Sequence, residues 1–419
     1  MTGTLGFIAL TLLGLPLFVL FGWIAMTAFG AADIDPSAIF PDLYRIASQP
    51  ILVAIPLFTF AGFVMAESGL PRRVIRLSHA ALSWLPGGLA LMSLVACAIF
   101  TAFTGASGIT IIALGGLLYP LLVRDGYPER YSLGLMTTSG SLGLLFPPSL
   151  PLILYGLVAG VSVDALFRAG LLPGLLILVV LGAYSMVVAK RSHVARPPFS
   201  WPELKAALRD AGWELPIPLV VLVLIYGGFV TPAEAAAVTA VLVLFVEGVI
   251  HRELSWTVLK RITGDSMALK GAVLAILGFA LGLTNYLIDA EVPQRMLEWM
   301  GGWLSNRWSF LLLLNVFLLA IGGLMDIFSA IVVVVPLIVP VAAQFGVDPL
   351  HLGIVFLTNL EIGYLSPPAG LNLLLASFRF RKPFLELYRA SFAFLVLMLI
   401  CLALVTWVPG LSLWLGARP

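Results

Sequence analysis

Long apolar runs separated by short polar segments dominate the chain. A hydrocarbon core of about 30 Å takes about 20 apolar residues in a helix. Runs of that order occur near 5–29, 48–68, 131–160, 166–190, 214–231, 233–250, 263–288, 351–376 and 389–414. These nine are predicted to be full crossings. Two further apolar regions, 89–123 and 308–343, are interrupted by glycine-rich polar segments. The interruptions read Thr104-Gly105-Ala106-Ser107-Gly108 and Gly322-Gly323-Leu324-Met325-Asp326. Legs of roughly 12–17 residues, rising about 1.5 Å each, fall short of the core. Re-entrant helical hairpins with tips near mid-membrane fit these regions better than kinked helix pairs, the alternative. The pattern therefore predicts an all-α polytopic membrane protein.

Composition narrows the class further. The chain is 61% hydrophobic and 11% charged, with mean hydropathy +1.08, whereas soluble domains carry about 25% charged residues. A net charge of +2 with no basic, aromatic-interleaved tract gives no footing for a nucleic-acid partner. Cys97 and Cys401 lie inside apolar runs and read as small buried hydrophobes. The histidines at 79, 193, 251 and 351 form no HExxH, and CxxC is absent. The run 5–29 lacks a basic leader and exceeds the signal-peptide core of about 7–15 residues, so it is expected to be a retained crossing.

Basic residues set the orientation. With the N-terminus cytoplasmic, 18 of the 23 Lys and Arg fall inside, and only Arg45, Arg168, Arg295, Arg307 and Arg418 fall outside. The C-terminus is then periplasmic. Segment Pro71–Arg76 and its partner near Pro293–Trp303 read as amphipathic interfacial arms joining moving and fixed parts. Trp201, Trp213, Trp256, Trp299 and Trp308 fall near the expected interfaces.

A shift of 220 residues superimposes the punctuation: Pro120 on Pro340, Gly126 on Gly346, Thr138 on Thr358, Gly143 on Gly363, and Pro147-Pro148 on Pro367-Pro368. Proline and glycine hold such positions for steric reasons. The predicted organisation is a first repeat over 1–190, a cytoplasmic loop over 191–213 and a second repeat over 225–419. Residues 214–224 begin an extra linking helix, 214–231. Five crossings precede the second repeat, so it must enter from the opposite side. Two inverted-topology repeats, each with a hairpin and a broken helix (131–160 and 351–376), mark a secondary transporter.

A proline pair inside a helix removes backbone donors and clashes with the preceding turn. Freed carbonyls in hydrocarbon are tolerated only where protein or a water-filled cavity satisfies them. Carbonyl and hydroxyl oxygens are hard ligands suited to Na⁺, and each hairpin tip is expected to meet the broken helix of its own repeat. The candidate first Na⁺ site is Thr104, Gly105, Ser107, Ser139, Gly143 and Pro147. The second is Gly323, Asp326, Thr358, Gly363, Ser366 and Pro367. The half-helix after each proline pair points its positive dipole end at the centre, which suits an anion. Ser141, Ser149, Asn359, Glu361 and Asn372 are the candidate substrate contacts. Carboxylates at this depth are costly and mark pathways. Glu361, with Ser141 as its counterpart, is left with three roles: tuning the site, carrying a proton, or pairing with a basic side chain.

These residues resemble the large membrane subunit of tripartite ATP-independent periplasmic (TRAP) transporters. The resemblance rests on Ile55-Pro56-Leu57-Phe58, the Thr104–Gly108 segment, Gly126-Tyr127, Phe146-Pro147-Pro148-Ser149 and Tyr226–Ala236. It continues through Gly346-Val347-Asp348-Pro349, Glu361-Ile362-Gly363 and Ser366-Pro367-Pro368-Ala369-Gly370-Leu371-Asn372. Phe146 and Ser366 depart from the more usual Ile and Thr. The resemblance implies a permease subunit in the bacterial inner membrane that imports small organic anions (carboxylates or sugar acids), driven by a Na⁺ gradient through an elevator mechanism. It also implies a small four-helix membrane subunit and a periplasmic substrate-binding protein as partners. Na⁺ is the coupling ion, with no other cofactor and no enzymatic activity. A stand-alone Na⁺/anion symporter or cation antiporter of related fold is the alternative. An intramembrane hydrolase would need a nucleophile–base pair, and no histidine lies in either break.

Overall fold

The computed structural model describes residues 17–35, 37, 40–41, 44, 48–194, 198–292, 294–295, 298, 306–368 and 370–416. Residues 5–16 of the first predicted crossing, Trp299 and most of the Pro293–Trp303 arm lie outside these. All regular structure among the described residues is helical. The first group is α1 (Leu17–Ala31), α2 (Ala54–Glu67), α3 (Leu70–Leu82), α4 (Gly88–Thr104) and α5 (Ser107–Arg124). A broken helix follows as α6 (Glu129–Ser139), a tight turn Leu142–Leu145 and α7 (Leu150–Ala159), bent by 45°. Next come α8 (Val163–Arg191), α9 (Trp201–Asp210), α10 (Pro216–Tyr226), α11 (Pro232–Ile250) and α12 (Trp256–Asp289). The last group is α13 (Arg307–Leu324), α14 (Ile327–Gln344), the two-part helix α15 (Pro349–Gly363) and α16 (Leu371–Phe380), then α17 (Phe384–Trp407) and α18 (Gly410–Gly416).

Eight of the described helices are long and apolar enough to cross a bilayer, or nine with the bent pair as one span. Large apolar side chains such as Val179, Leu219 and Val241 face outward, as a lipid-facing belt requires. Three of the eight are hairpin legs: α5, α13 and α14, each 18 residues. At about 1.5 Å per residue they reach about 27 Å, more than the sequence pattern suggested. The reason is local. Gly322 and Gly323 continue α13 because they are buried against the neighbouring helix, and the break narrows to Met325-Asp326. The first break narrows to Gly105-Ala106. The 191–213 loop likewise gains order, with Ser200 capping α9 at Glu203 N. The extra linking helix is shorter than 214–231, stopped by Gly227 and by Gly228 at φ +68°.

Cap chemistry recurs 220 residues apart. Gly126 (φ +93°) and Gly346 (φ +69°) end the second hairpin legs in the left-handed region that glycine enters without a Cβ penalty. Tyr127 N then donates to Leu122 O at 3.1 Å, and Val347 N to Ala342 O at 3.0 Å. Inside the breaks, Phe146 N reaches Gly143 O and Ser366 N reaches Gly363 O, both at 3.0 Å. The peptide bonds Pro147–Pro148 and Pro367–Pro368 are both cis. Beyond them the offset slips by one residue: α7 is closed by Gly160 and α16 by Arg381, both at positive φ.

Packing crosses between the halves. Helix α1 lies on α12, and its counterpart α11 lies on α2. Helix α7 packs on the second leg of the second hairpin, α14, while α16 packs on α5. In the latter contact Gly108, Gly115 and Gly116 admit Leu375, Phe380 and Arg379.

The predicted arm is α3, and its basic residues do different jobs. Arg73 turns inward and pairs with Glu214 (2.5 Å), Glu247 (2.8 Å) and Glu253 (2.8 Å), while His251 sits 3.0 Å from Glu214. Gly69 N also donates to Glu253 at 2.6 Å. One guanidinium thus ties α3 to the start of α10 and to the end of α11. Burial opposes ionisation of Glu253, but Arg73 and Gly69 N hold its carboxyl below the ordinary value near 4.5.

Candidate functional site at the two broken helices

The second hairpin and second break meet backbone to backbone. A Cβ on Gly363 would stand 2.5 Å from Gly322 Cα, and one on Gly323 would stand 3.0 Å from Pro367 O. Two hydrogen bonds stitch the pair: Ile327 N donates to Tyr364 Oη at 2.7 Å, and Gly370 N to Gly323 O at 3.3 Å. Of the predicted second Na⁺ set, Gly323, Gly363, Ser366 and Pro367 are therefore brought together. Ser366 Oγ donates to Gly363 O at 2.9 Å, and Thr358 Oγ1 to Ile354 O at 2.7 Å.

Asp326 has a structural duty of its own. It caps α14, accepting from Phe328 N at 3.0 Å, Ser329 N at 3.1 Å and Ser329 Oγ. Each carboxylate oxygen thus has one or two donors, and a carboxylate offers about four lone-pair sites. Room for a cation ligand bond is left.

The first half repeats the contact with different groups. A Cβ on Gly143 would meet Ala98 O and Ala102 N, so the break lies along α4 about one turn before the hairpin tip. A Cβ on Gly140 would lie 3.2 Å from Ser107 O, which places Ser107 beside the Ser139–Ser141 stretch. Gly105 (φ +62°) instead sits on Leu150, at the start of α7. Thr104 and Ser139 hydroxyls make local bonds, to Ala106 O (3.5 Å) and Met136 O (3.4 Å), and Ser139 also meets the Cys97 thiol of α4. Pro147 lies in the cis pair that links the turn Leu142–Leu145 to α7. Two hydroxyls that sequence reasoning missed stand here: Thr101 Oγ1 donates to Gly140 O at 2.8 Å and lies 2.6 Å from Thr110 Oγ1. They sit on opposite legs nine residues apart, which no local pattern reveals. Thr138 Oγ1 is buried without a hydrogen-bond partner among the described residues.

The candidate substrate contacts divide. Asn372, from α16 of the second half, donates to Ser141 Oγ at 3.3 Å and Thr137 O at 3.2 Å in the first half, and its Oδ1 has no donor among the described residues. Asn359 is instead committed to a relay: it donates to Asn315 Oδ1 at 2.8 Å, and Asn315 donates to Thr406 Oγ1 at 3.1 Å. Ser149 is the N-cap of α7, accepting from Leu152 N and donating to Leu144 O. Glu361 is fully buried, and among the described residues no donor or basic side chain reaches either carboxylate oxygen. The ion-pair role expected as one of its three is therefore not made.

Comparison with known proteins identifies this arrangement. The profile of the Tripartite ATP-independent periplasmic transporter, DctM component, matches residues 4–411. The chain belongs to that family. It is a multi-pass membrane transport protein and not an enzyme. A DctM-family relative, the C4-dicarboxylate TRAP transporter large permease of Pseudomonas aeruginosa, is 35% identical over 89% of each chain. The isethionate TRAP transporter permease DctMQ of Oleidesulfovibrio alaskensis is 34% identical over 98% of this chain and 65% of its own. The sialic acid TRAP transporter large permease of Vibrio cholerae is 31% identical over 87% of this chain and 86% of its own. Among solved structures, the YdaH transporter of Alcanivorax borkumensis shares the fold with a TM-score of 0.64. It covers 91% of this chain and 89% of its own at 15% identity.

Proposed function

We propose that the chain is the permease subunit of a Na⁺-coupled secondary transporter that imports a small organic anion across the bacterial inner membrane. A periplasmic binding protein delivers the anion, and a small four-helix membrane subunit completes the complex. The N-terminus is cytoplasmic and the two repeats have inverted topology.

The observation that carries this reading is the doubled seating of a hairpin on a proline-broken helix, Gly363 on Gly322 and Gly143 on Ala98 and Ala102. Each seating gathers backbone carbonyls and hydroxyls in a buried place where a dehydrated Na⁺ finds hard oxygen ligands. In the first site these come from Thr104, Gly105, Ser107, Ser139, Gly143 and Pro147, with Thr101 and Thr138 as neighbours. In the second they come from Gly323, Asp326, Thr358, Gly363, Ser366 and Pro367. The anion lies between, at Ser141 and Asn372, where the N-termini of α7 and α16 favour negative charge. Glu361 tunes this centre. The relatives named for C4-dicarboxylates, isethionate and sialic acid support an acid substrate.

The interlocking of the parts supports an elevator motion. Each hairpin packs with one leg on its own broken helix and with the other on the opposite half's, so hairpins and broken helices slide as one body. Helices α1, α2, α11 and α12 form the frame. The test is reconstitution into liposomes with the small subunit and the binding protein, assaying a labelled C4-dicarboxylate. Uptake is expected only with an inward Na⁺ gradient and the binding protein present. Transport by the purified chain alone would mean a stand-alone symporter.

A further inference from the structure

Helix α3 presents three distinct faces. Arg73 is consumed by the glutamate cluster. Val74 and Leu77 turn into an apolar cavity of about 350 Å³ against α4 and α10. The third face carries Arg72, Arg76 and His79, one helical turn apart each, and opens on a separate cavity of about 410 Å³. The far wall of that cavity is Leu117 and Leu121 of the first hairpin, and Ile75 of α3 forms its floor.

We propose that this groove between α3 and the first hairpin binds an anionic phospholipid. Arg76 is partly spent on Asp210 and Glu203. Arg72 has no carboxylate partner among the described residues, so its planar guanidinium is free to take a phosphate through two parallel hydrogen bonds. His79 lies two turns along the same face. The lining contains no acidic residue, whereas the other large charged cavity sets Glu129 and Glu386 against Arg130 and Arg389. The leucine wall decides between sources of phosphate. A soluble anion gains nothing from Leu117 and Leu121, but a phospholipid lays its hydrocarbon stem there while its head group stays at the interface. Basic pockets between membrane helices bind lipid head groups by this combination. The lipid lies against both α3 and the second leg of the first hairpin, α5, beside the direct packing of α3 on the first leg, α4.

The test uses the full chain purified in detergent and supplemented with phosphatidylglycerol or phosphatidylcholine of the same acyl chains. Phosphatidylglycerol is expected to raise the melting temperature above the phosphatidylcholine control. Arg72→Ala with His79→Ala should weaken its apparent affinity by about fivefold or more, the share of one arginine beside an anionic head group. The melting temperature in phosphatidylcholine should stay unchanged, and Arg72→Lys should keep only part of the effect, because an ammonium preserves the charge but not the two parallel hydrogen bonds. Should the double variant be unstable, Arg72→Ala alone suffices, because that side chain is exposed. The proposal fails if phosphatidylglycerol acts equally on the variants, if neither lipid shifts the wild-type chain, or if inorganic phosphate or glycerol phosphate reproduces the shift. It is independent of the coupling ion, so its failure leaves the transport reading intact.

Discussion

Gly363 and Gly322 lie so close that a Cβ on Gly363 would stand 2.5 Å from both the carbonyl carbon and Cα of Gly322. No side chain can be accommodated between these backbones, so glycine at 363 is what lets the hairpin reach the break. Gly363→Ala should cost about 1–3 kcal/mol through overpacking and cut uptake at least about tenfold, as a 1.4 kcal/mol misfit at the site implies. Gly346→Ala, at positive φ but in open space, should cost about 1–2 kcal/mol and leave uptake nearly intact. Melting curves and initial uptake rates of the two variants distinguish docking from local strain.

Asp326 combines a cap with the predicted ion role, and two substitutions separate them. Asp326→Asn retains an N-cap acceptor, so it should fold normally yet raise the Na⁺ concentration for half-maximal uptake about tenfold or more. Asp326→Ala should in addition lose about 1 kcal/mol of stability. Unchanged Na⁺ dependence in the asparagine variant would remove Asp326 from the site.

Asn372 joins the two halves through Ser141 and Thr137. Asn372→Leu should remove the donor to Ser141 Oγ and Thr137 O and lower stability by about 1–3 kcal/mol, with a raised KM for the anion. Ser141→Ala should show the smaller loss. A KM unmoved in both variants would place the substrate elsewhere.

Arg73 pairs with two buried carboxylates, Glu214 and Glu247, and with the partly exposed Glu253. Arg73→Met leaves Glu247 uncompensated and Glu214 with only His251 beside it, both carboxylates under 5% exposed, and should cost on the order of 3–5 kcal/mol. The combined variant with Glu214→Gln and Glu247→Gln should recover much of that loss in a thermal unfolding assay.

Glu253 ties stability to pH. Its folded-state pKa lies below the ordinary value near 4.5, so the unfolded chain binds the proton more readily. The contribution is therefore fully present above about pH 4.5 and is lost as pH falls through the lower folded value. Melting temperature should drop on the acid side in the wild type, and Glu253→Gln should lie below it at pH 7 and converge with it in acid.

The hydrophobic pattern placed apolar helices over 48–68, 131–160, 166–190, 233–250, 263–288 and 389–414 and over the two interrupted regions, because hydrocarbon exposes every proline or polar interruption in a helix. It did not give their lengths: three legs expected to be short are 18 residues, and the helix expected over 214–231 spans only Pro216–Tyr226. Spacing of Pro and Gly gave the 220-residue correspondence, and the quoted motifs pointed to the family that residues 4–411 match. Tertiary structure decided the rest. Gly322 and Gly323 look like a break in sequence, but burial against Leu360 and Gly363 keeps them helical. Asn359 and Asn372 look alike, yet one is drawn into a relay with Asn315 and the other bridges to Ser141. Thr101 and Arg73 gave no local signal, since Thr101 meets Thr110 across the hairpin and Gly140, 39 residues away, and Arg73's carboxylates lie 141 or more residues away. Periodicity reports which side of a helix faces protein or lipid; which residue waits on the other side is set by how distant helices fold together.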